Sequence, residues 1–193
     1  METLLVVDAQ NEFSEGGLRH VPNHASALRQ IQARVELARR EGRPIAWVRH
    51  HNKPHEWPGF VPGTWGSELS PNLGPRPGFG PERLFDKDVF GAFGEPALEP
   101  WLREVGTTQL LVVGFYSHMC LSTTTREALI RGFEVAIDPE ATGSREIEHP
   151  TLGFLSANEV RRSALLHLVT MGATIVSPIP AGSDSLAGVA DSA

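Results

Sequence analysis

Residues 109–120 read Gln-Leu-Leu-Val-Val-Gly-Phe-Tyr-Ser-His-Met-Cys. Gln109–Val113 is a short, apolar, β-branched run stopped by Gly114, the pattern of a strand rather than a helix. It shows no polar alternation, so both of its faces are expected to be buried, as in the middle of a parallel sheet. The loop Gly114–Met119 then delivers Cys120 to a segment of helical character that runs to Arg131 and stops at Gly132. Strand, loop and helix together form half of a βαβ unit.

The same unit recurs outward from this stretch. Upstream, Thr3–Val7 is a strand candidate ending at Asp8. Asn23 to Arg40 carries Leu28, Ile31, Val35 and Ala38 on one helical stripe, with Gly42 as a stop. Pro44–Val48 is a second strand, running into Arg49, His50 and His51. Leu98, Trp101, Leu102 and Val105 form another helical stripe, closed by Gly106. Downstream, Glu134–Ile137 is a strand ending at Asp138. Ser156 and Glu159 make a capping box for a helix through Met171, and Ala173–Val176 is a fifth strand. Continuous apolar strands separated by amphipathic helices imply a three-layer αβα sandwich with a mainly parallel sheet of Rossmann-type topology. Residues 1–180 are expected to form one domain, and the Ala/Gly/Ser/Asp-rich residues 181–193 a flexible tail.

Composition narrows the function classes. The chain has 193 residues, 17 Lys+Arg against 23 Asp+Glu, and a net charge of −6. No basic patch marks a nucleic-acid surface. No apolar stretch approaches the ~20 residues needed to span a bilayer. The N-terminus lacks the basic region of a signal peptide, so a cytoplasmic protein without nucleic-acid or membrane partners is expected. A single cysteine excludes an intramolecular disulfide and any zinc site built on several thiols. Between Pro54 and Pro81 lie seven prolines and six glycines, together with Trp57, Phe60, Val61, Trp65 and Leu69. So long a segment with apolar content reads as an ordered loop, either packed on the surface or walling a pocket.

Ligands of open α/β sheets bind beyond the carboxyl ends of the strands. There this sequence places Asp8, His50, His51, Cys120 and Asp138. A thiol in the first turn of a helix meets the positive end of the helix dipole and unpaired N–H groups, which favour a thiolate and can hold an oxyanion. A lone cysteine is also a common core residue. Asp8 could take the thiol proton or simply shape a turn. Lys87, within Leu84-Phe85-Asp86-Lys87-Asp88-Val89-Phe90, is either a surface lysine among acids or a buried one.

Four segments in order tip this balance: Leu4–Phe13 (LLVVDAQNEF), Lys87–Phe93 (KDVFGAF), Leu111–Ala128 around Cys120, and Gly132–Asp138 (GFEVAID). The chain resembles the isochorismatase-like cysteine hydrolases, which include nicotinamidase and N-carbamoylsarcosine amidohydrolase. The resemblance runs from residue 3 to about 178. It implies a catalytic triad of Asp8, Lys87 and Cys120, with Asp8 as base, Lys87 stabilising charge and Cys120 attacking a carbonyl to give a thioester. It implies a cis peptide at Phe115–Tyr116 and an oxyanion hole from the amides of Tyr116 and Cys120. The substrate-binding candidates are Phe13, Trp57, Trp65, Phe90, Tyr116 and His118, whose aromatic character suits a small, flat, mostly apolar substrate. Nicotinamidases hold a metal through an Asp-x-His pair and a later His. The matching stretch here has His50, His51 and His55 without the Asp, so no metal and no cofactor are expected and nicotinamidase is disfavoured. The retained Cys120 favours C–N hydrolysis. The alternatives are an isochorismatase-type hydrolase of an ether or ester bond and a non-catalytic flavodoxin-like binding module. A homodimer or homotetramer is the expected assembly.

Overall fold

A computed structural model describes residues 1–56 and 58–180, so the expected tail at 181–193 lies outside the described residues. The strands are β1 (Glu2–Val7), β2 (Ile45–His50), β3 (Glu82–Lys87), β4 (Gln109–Phe115), β5 (Glu134–Gly143), β6 (Ile147–His149), β7 (Gly153–Leu155) and β8 (Thr174–Ile175). The α-helices are α1 (His24–Arg40), α2 (Leu98–Glu104), α3 (Cys120–Ile130) and α4 (Ala157–Thr170). Six strands form one sheet in the order β3-β2-β1-β4-β5-β8, and every pair in it is parallel.

Each central strand contributes to two cores, because successive side chains leave opposite faces. Leu4 and Val6 of β1 face α1, where Ala27, Ile31, Val35 and Ala38 form the buried stripe. Leu5 and Val7 face α2, α3 and α4, meeting Leu98, Leu102, Leu121, Leu165 and Leu168. Burying each such Leu, Ile or Val stabilises the fold by about 1.5–3 kcal/mol. The chain walks from β1 to β2 and β3 on one side, then returns to β4 and walks the other way. Right-handed crossovers place helices on opposite faces for the two directions. A crevice opens between β1 and β4, where the direction reverses, and Asp8 and the Tyr116–Cys120 loop lie at its lip.

Several strands differ from the sequence reading, among them β5, which runs on to Gly143 past the expected end at Ile137. Strand β3 was not expected, because an edge strand exposing Arg83 and Asp86 carries too little apolar pattern. Its inward residues Phe85 and Lys87 are buried. The antiparallel hairpin β6–β7 has every strand residue exposed and so left no hydrophobic alternation to read. The last strand contracts to Thr174–Ile175. The capping box of α4 forms as its sequence dictates, Ser156 and Glu159 each accepting from the other's backbone N–H.

Gly114 governs how β4 ends. Its φ is +116°, and a Cβ there would stand 1.8 Å from the Val7 carbonyl oxygen. That oxygen belongs to the central strand β1 and cannot withdraw. Gly114→Ala is therefore expected to cost about 3 kcal/mol or more in urea denaturation, through backbone clash and left-handed strain. A cost below about 1 kcal/mol would show that the strand end is less constrained than this contact demands.

Candidate active site

Asp8 follows β1 directly and adopts φ +52°, a conformation Asp tolerates better than most residues. Its backbone N–H donates to Val48 O, which ties it to β2. Lys87 ends β3, and its register partner on β2 is His50. Adjacent partners in a parallel sheet share a face, so the Lys87 ammonium, the His50 ring and the Asp8 carboxylate converge above the strand ends. Lys87 Nζ donates to Asp8 Oδ2 at 2.7 Å and to His50 Nδ1 at 3.2 Å. The Lys87 and Asp8 side chains are 0 % and 1 % exposed. Cys120 opens α3 on the opposite side of this pair, and its sulfur interacts with both Asp8 and Lys87. Asp8 Oδ1, the carboxylate oxygen that Lys87 does not use, is buried without a conventional hydrogen bond.

The electrostatics follow from that packing. Burial and then the Asp8 charge push the Cys120 thiol well above its ordinary value, and Lys87 opposes them only in part. The helix-dipole expectation of a resting thiolate is corrected by this: desolvation and a neighbouring carboxylate outweigh the dipole. Burial works against the Lys87 ammonium, but the Asp8 carboxylate bonded to it and any charge on the Cys120 sulfur raise the lysine. At rest the protonated thiol is thus favoured, beside the Asp8–Lys87 pair. A thiol in contact with a carboxylate is an arrangement able to pass its proton to that carboxylate as the sulfur attacks an electrophile.

The loop after β4 supplies backbone donors. The Phe115–Tyr116 bond is cis. The N–H of Ser117 is spent on Gly143 O, and those of Met119 and Leu121 on Tyr116 O. Those of Tyr116 and Cys120 donate to no backbone oxygen among the described residues. These two groups beside the sulfur can serve an oxygen that gains charge.

A cavity of about 400 Å³ opens over this cluster, reaching Asp8, His50 and Cys120 at its floor. Phe13, Phe60, Phe90, Val89, Tyr116 and Met119 wall it, and Lys53 and Asp88 stand at the mouth 3.5 Å apart. Of the binding candidates, Phe13, Phe90 and Tyr116 line the cavity. Trp65 does not: it lies in a short turn, 56 % exposed, with its carbonyl bonded to Asn11. His118 turns to the end of β5, where Nδ1 meets Ser144 Oγ at 3.0 Å, and burial holds it down at about 4. Trp57 lies outside the described residues. The Tyr116 hydroxyl donates to Arg19 O, and burial pushes it up to about 12, so it positions a ring rather than moving a proton.

The proline- and glycine-rich segment proves to be a wall. It carries Glu56 and Phe60 to the cavity and is fastened to residues 9–12. Asn11 N–H donates to Glu68 O, and Ser70 N–H to Ala9 O. Glu12, which the sequence did not mark out, accepts from the N–H groups of Leu18 and Phe60 and so ties two loops together. Gly66 leaves it room, since a Cβ there would lie 2.1 Å from Glu12 Oε2.

No group of three or more His, Cys, Asp or Glu among the described residues could hold a metal ion. The His50 ring explains why the nicotinamidase-type metal does not fit: Nδ1 faces an ammonium and Nε2 meets Asn52 Oδ1 at 2.9 Å. A cation placed there would be repelled by Lys87.

A parallel sheet carrying a buried acid, amine and thiol at its switch point defines an α/β protein with a candidate reaction centre at its strand ends. The model of the isochorismatase domain matches residues 2–174. The chain belongs to the isochorismatase family and is a hydrolase of that family. It is 30 % identical to a secreted isochorismatase effector of Verticillium dahliae, over 90 % of this chain and 86 % of that one. It is 29 % identical to nicotinamidase 3 of Arabidopsis thaliana, over 84 % and 88 %. Among solved structures, an isochorismatase from Pseudomonas putida KT2440 superposes with a TM-score of 0.82 at 28 % identity, covering 91 % and 87 %. An N-carbamoylsarcosine amidase from Thermoplasma acidophilum shares the fold, with a TM-score of 0.75 at 23 % identity over 97 % and 99 %.

Proposed function

We propose that the chain is a cysteine amidohydrolase acting on a C–N bond of a small, flat amide. The carrying observation is the Cys120 thiol in contact with a buried carboxylate–ammonium pair at the floor of an aromatic cavity. Cys120 Sγ forms a bond to the carbonyl carbon while its proton passes to Asp8. The carbonyl oxygen takes the electron pair and is held by the amides of Tyr116 and Cys120. Collapse breaks the C–N bond, Asp8 returns the proton to the leaving nitrogen, and ammonia or an amine departs. Asp8 then takes a proton from water as its oxygen attacks the thioester carbon. Breaking the C–S bond yields the carboxylic acid and restores the thiol. Lys87 pairs with Asp8 and offsets charge on the sulfur.

Relatives described as nicotinamidase and as streptothricin hydrolase support an amide-type bond. The test is an assay of ammonia release from a panel of aromatic and aliphatic primary amides beside pyruvate release from isochorismate. The reading expects ammonia from flat aromatic amides and no pyruvate; pyruvate alone would shift the chemistry to the ether bond.

The unpaired thiol supports a reducing, cytoplasmic setting, while the fungal relative is described as secreted. No helix among the described residues is long and apolar enough to cross a membrane. Self-association is supported by apolar side chains left exposed on the β6–β7 hairpin and the outer side of α4, including Leu152, Phe154, Leu166 and Val169.

A further inference from the structure

A buried ammonium has three N–H donors and no acceptor, so its direction is set by whatever three acceptors surround it. Around Lys87 Nζ these are Asp8 Oδ2 at 2.7 Å, His50 Nδ1 at 3.2 Å and the Cys120 sulfur. The proposed mechanism uses the first and the third. We infer that His50 is a positioning residue: its Nδ1 takes the remaining N–H of Lys87 and thereby aims the others at Asp8 and Cys120.

Four contacts hold the ring in this role. Gln10 clamps the His50 backbone from both sides, with Oε1 accepting from its N–H at 2.8 Å and Nε2 donating to its carbonyl at 2.9 Å. The edge of the ring meets Phe60 at 5.2 Å and 88°. Asn52 Oδ1 lies 2.9 Å from Nε2. An ammonium can only donate, so Nδ1 must present a lone pair, which puts the single ring proton on Nε2, where Asn52 accepts it. Asn52 thus receives the proton of the tautomer that Lys87 imposes and holds the ring in place. The charged and polar groups around the ring are Lys87, Asp8, Asn52 and Glu56. Burial and Lys87 keep the ring neutral against the pull of the two carboxylates.

This inference rests on the proposed role of Cys120, and its test separates the two. The probe is iodoacetamide, whose reaction with Cys120 is followed by intact mass between pH 6 and 8. His50→Leu keeps bulk but removes the acceptor, whereas His50→Asn restores an oxygen near the place of Nδ1. Asn52→Leu leaves the ring and removes the contact at Nε2 that holds it. The expected result is a fall of about tenfold to a hundredfold in the alkylation rate for His50→Leu, with His50→Asn within a few fold of the parent. Asn52→Leu should lie between, since the ring loses one of the contacts that hold it while Nδ1 keeps its lone pair toward Lys87. If His50→Leu does not fold, the contrast between His50→Asn and Asn52→Leu decides in the same way. An unchanged rate in His50→Leu, an equal fall in His50→Asn, or an unchanged Asn52→Leu would overturn the positioning role. A parent protein whose Cys120 does not react at all would instead overturn the nucleophile assignment.

Discussion

Cys120→Ala is expected to lose hydrolysis by about 10⁴-fold or more while its melting temperature stays within a few degrees of the parent. The sulfur is the atom that would bond to substrate, and nothing else in the cavity can replace it. Asp8 lacks a free path to a carbonyl while Lys87 holds one of its oxygens, and the Tyr116 hydroxyl is committed to Arg19 O. The small structural cost follows from place: Cys120 stands at the rim of α3, 8 % exposed, and contributes little hydrocarbon to the core. Cys120→Ser is expected to be nearly as inactive, because a hydroxyl is far less acidic than a thiol and the Asp8 carboxylate is too weak a base to activate it. Steady-state rates on whichever amide the panel identifies, with thermal melts beside them, check both variants. Residual activity above about one per cent in Cys120→Ala would remove the thioester from the mechanism.

The second large effect concerns the buried pair. Lys87→Met leaves the Asp8 carboxylate, 1 % exposed, without its ammonium partner, which costs about 3–5 kcal/mol of stability. Asp8→Asn removes the charge and the base together. The double variant Asp8→Asn with Lys87→Met contains neither charge, so it is expected to recover much of the stability lost in Lys87→Met. It should recover none of the activity, which is lower by about 10²-fold to 10⁴-fold in each single variant. The pH dependence separates catalysis from scaffolding. Because burial and Asp8 raise the thiol, the sulfur is protonated at neutral pH. The parent's alkylation proceeds through transfer of that proton to Asp8, so its rate is expected to vary little between pH 6 and 8. Without Asp8 the rate must follow the free thiolate, rising about tenfold per pH unit below the thiol's pKa. Denaturant titrations and the slope of rate against pH read the two effects independently.

Much of the sheet was visible in the sequence because the central strands are buried on both faces. TLLVV and QLLVV are apolar without alternation, and a chain writes such runs only where no residue meets water. The helices were legible from stripes such as Ile31, Val35 and Ala38 and from stops at glycine. Strand β3 was hidden because an edge strand carries charges on its open face, and its signal reduced to Phe85 and Lys87. The hairpin was hidden because all of its strand residues are exposed.

The site divides along similar lines. Asp8 stood out because it follows a legible strand and Cys120 because it heads a helix beyond one, whereas Lys87 was marked only by its setting in KDVFGAF and the resemblance that segment carries. Trp65 and His118 were proposed as lining on residue type alone, and side-chain direction in irregular loops is set by contacts distant in the chain, such as Asn11 with Trp65 and Ser144 with His118. Glu12 and Asn52 gave no local sign of their tasks. Their partners Phe60, Leu18 and His50 are named only by tertiary packing.

The account's central claim is that Cys120 carries the substrate's acyl group between two half-reactions. Acid quenching of the protein during turnover of an active amide, followed by peptide mass analysis, reads this directly. The predicted result is a Cys120-containing peptide heavier by the acyl group, absent when Asp8 is replaced by Asn and discharged by hydroxylamine. Product formed at the full rate with that peptide always unmodified, and with Cys120→Ala still active, would contradict the claim.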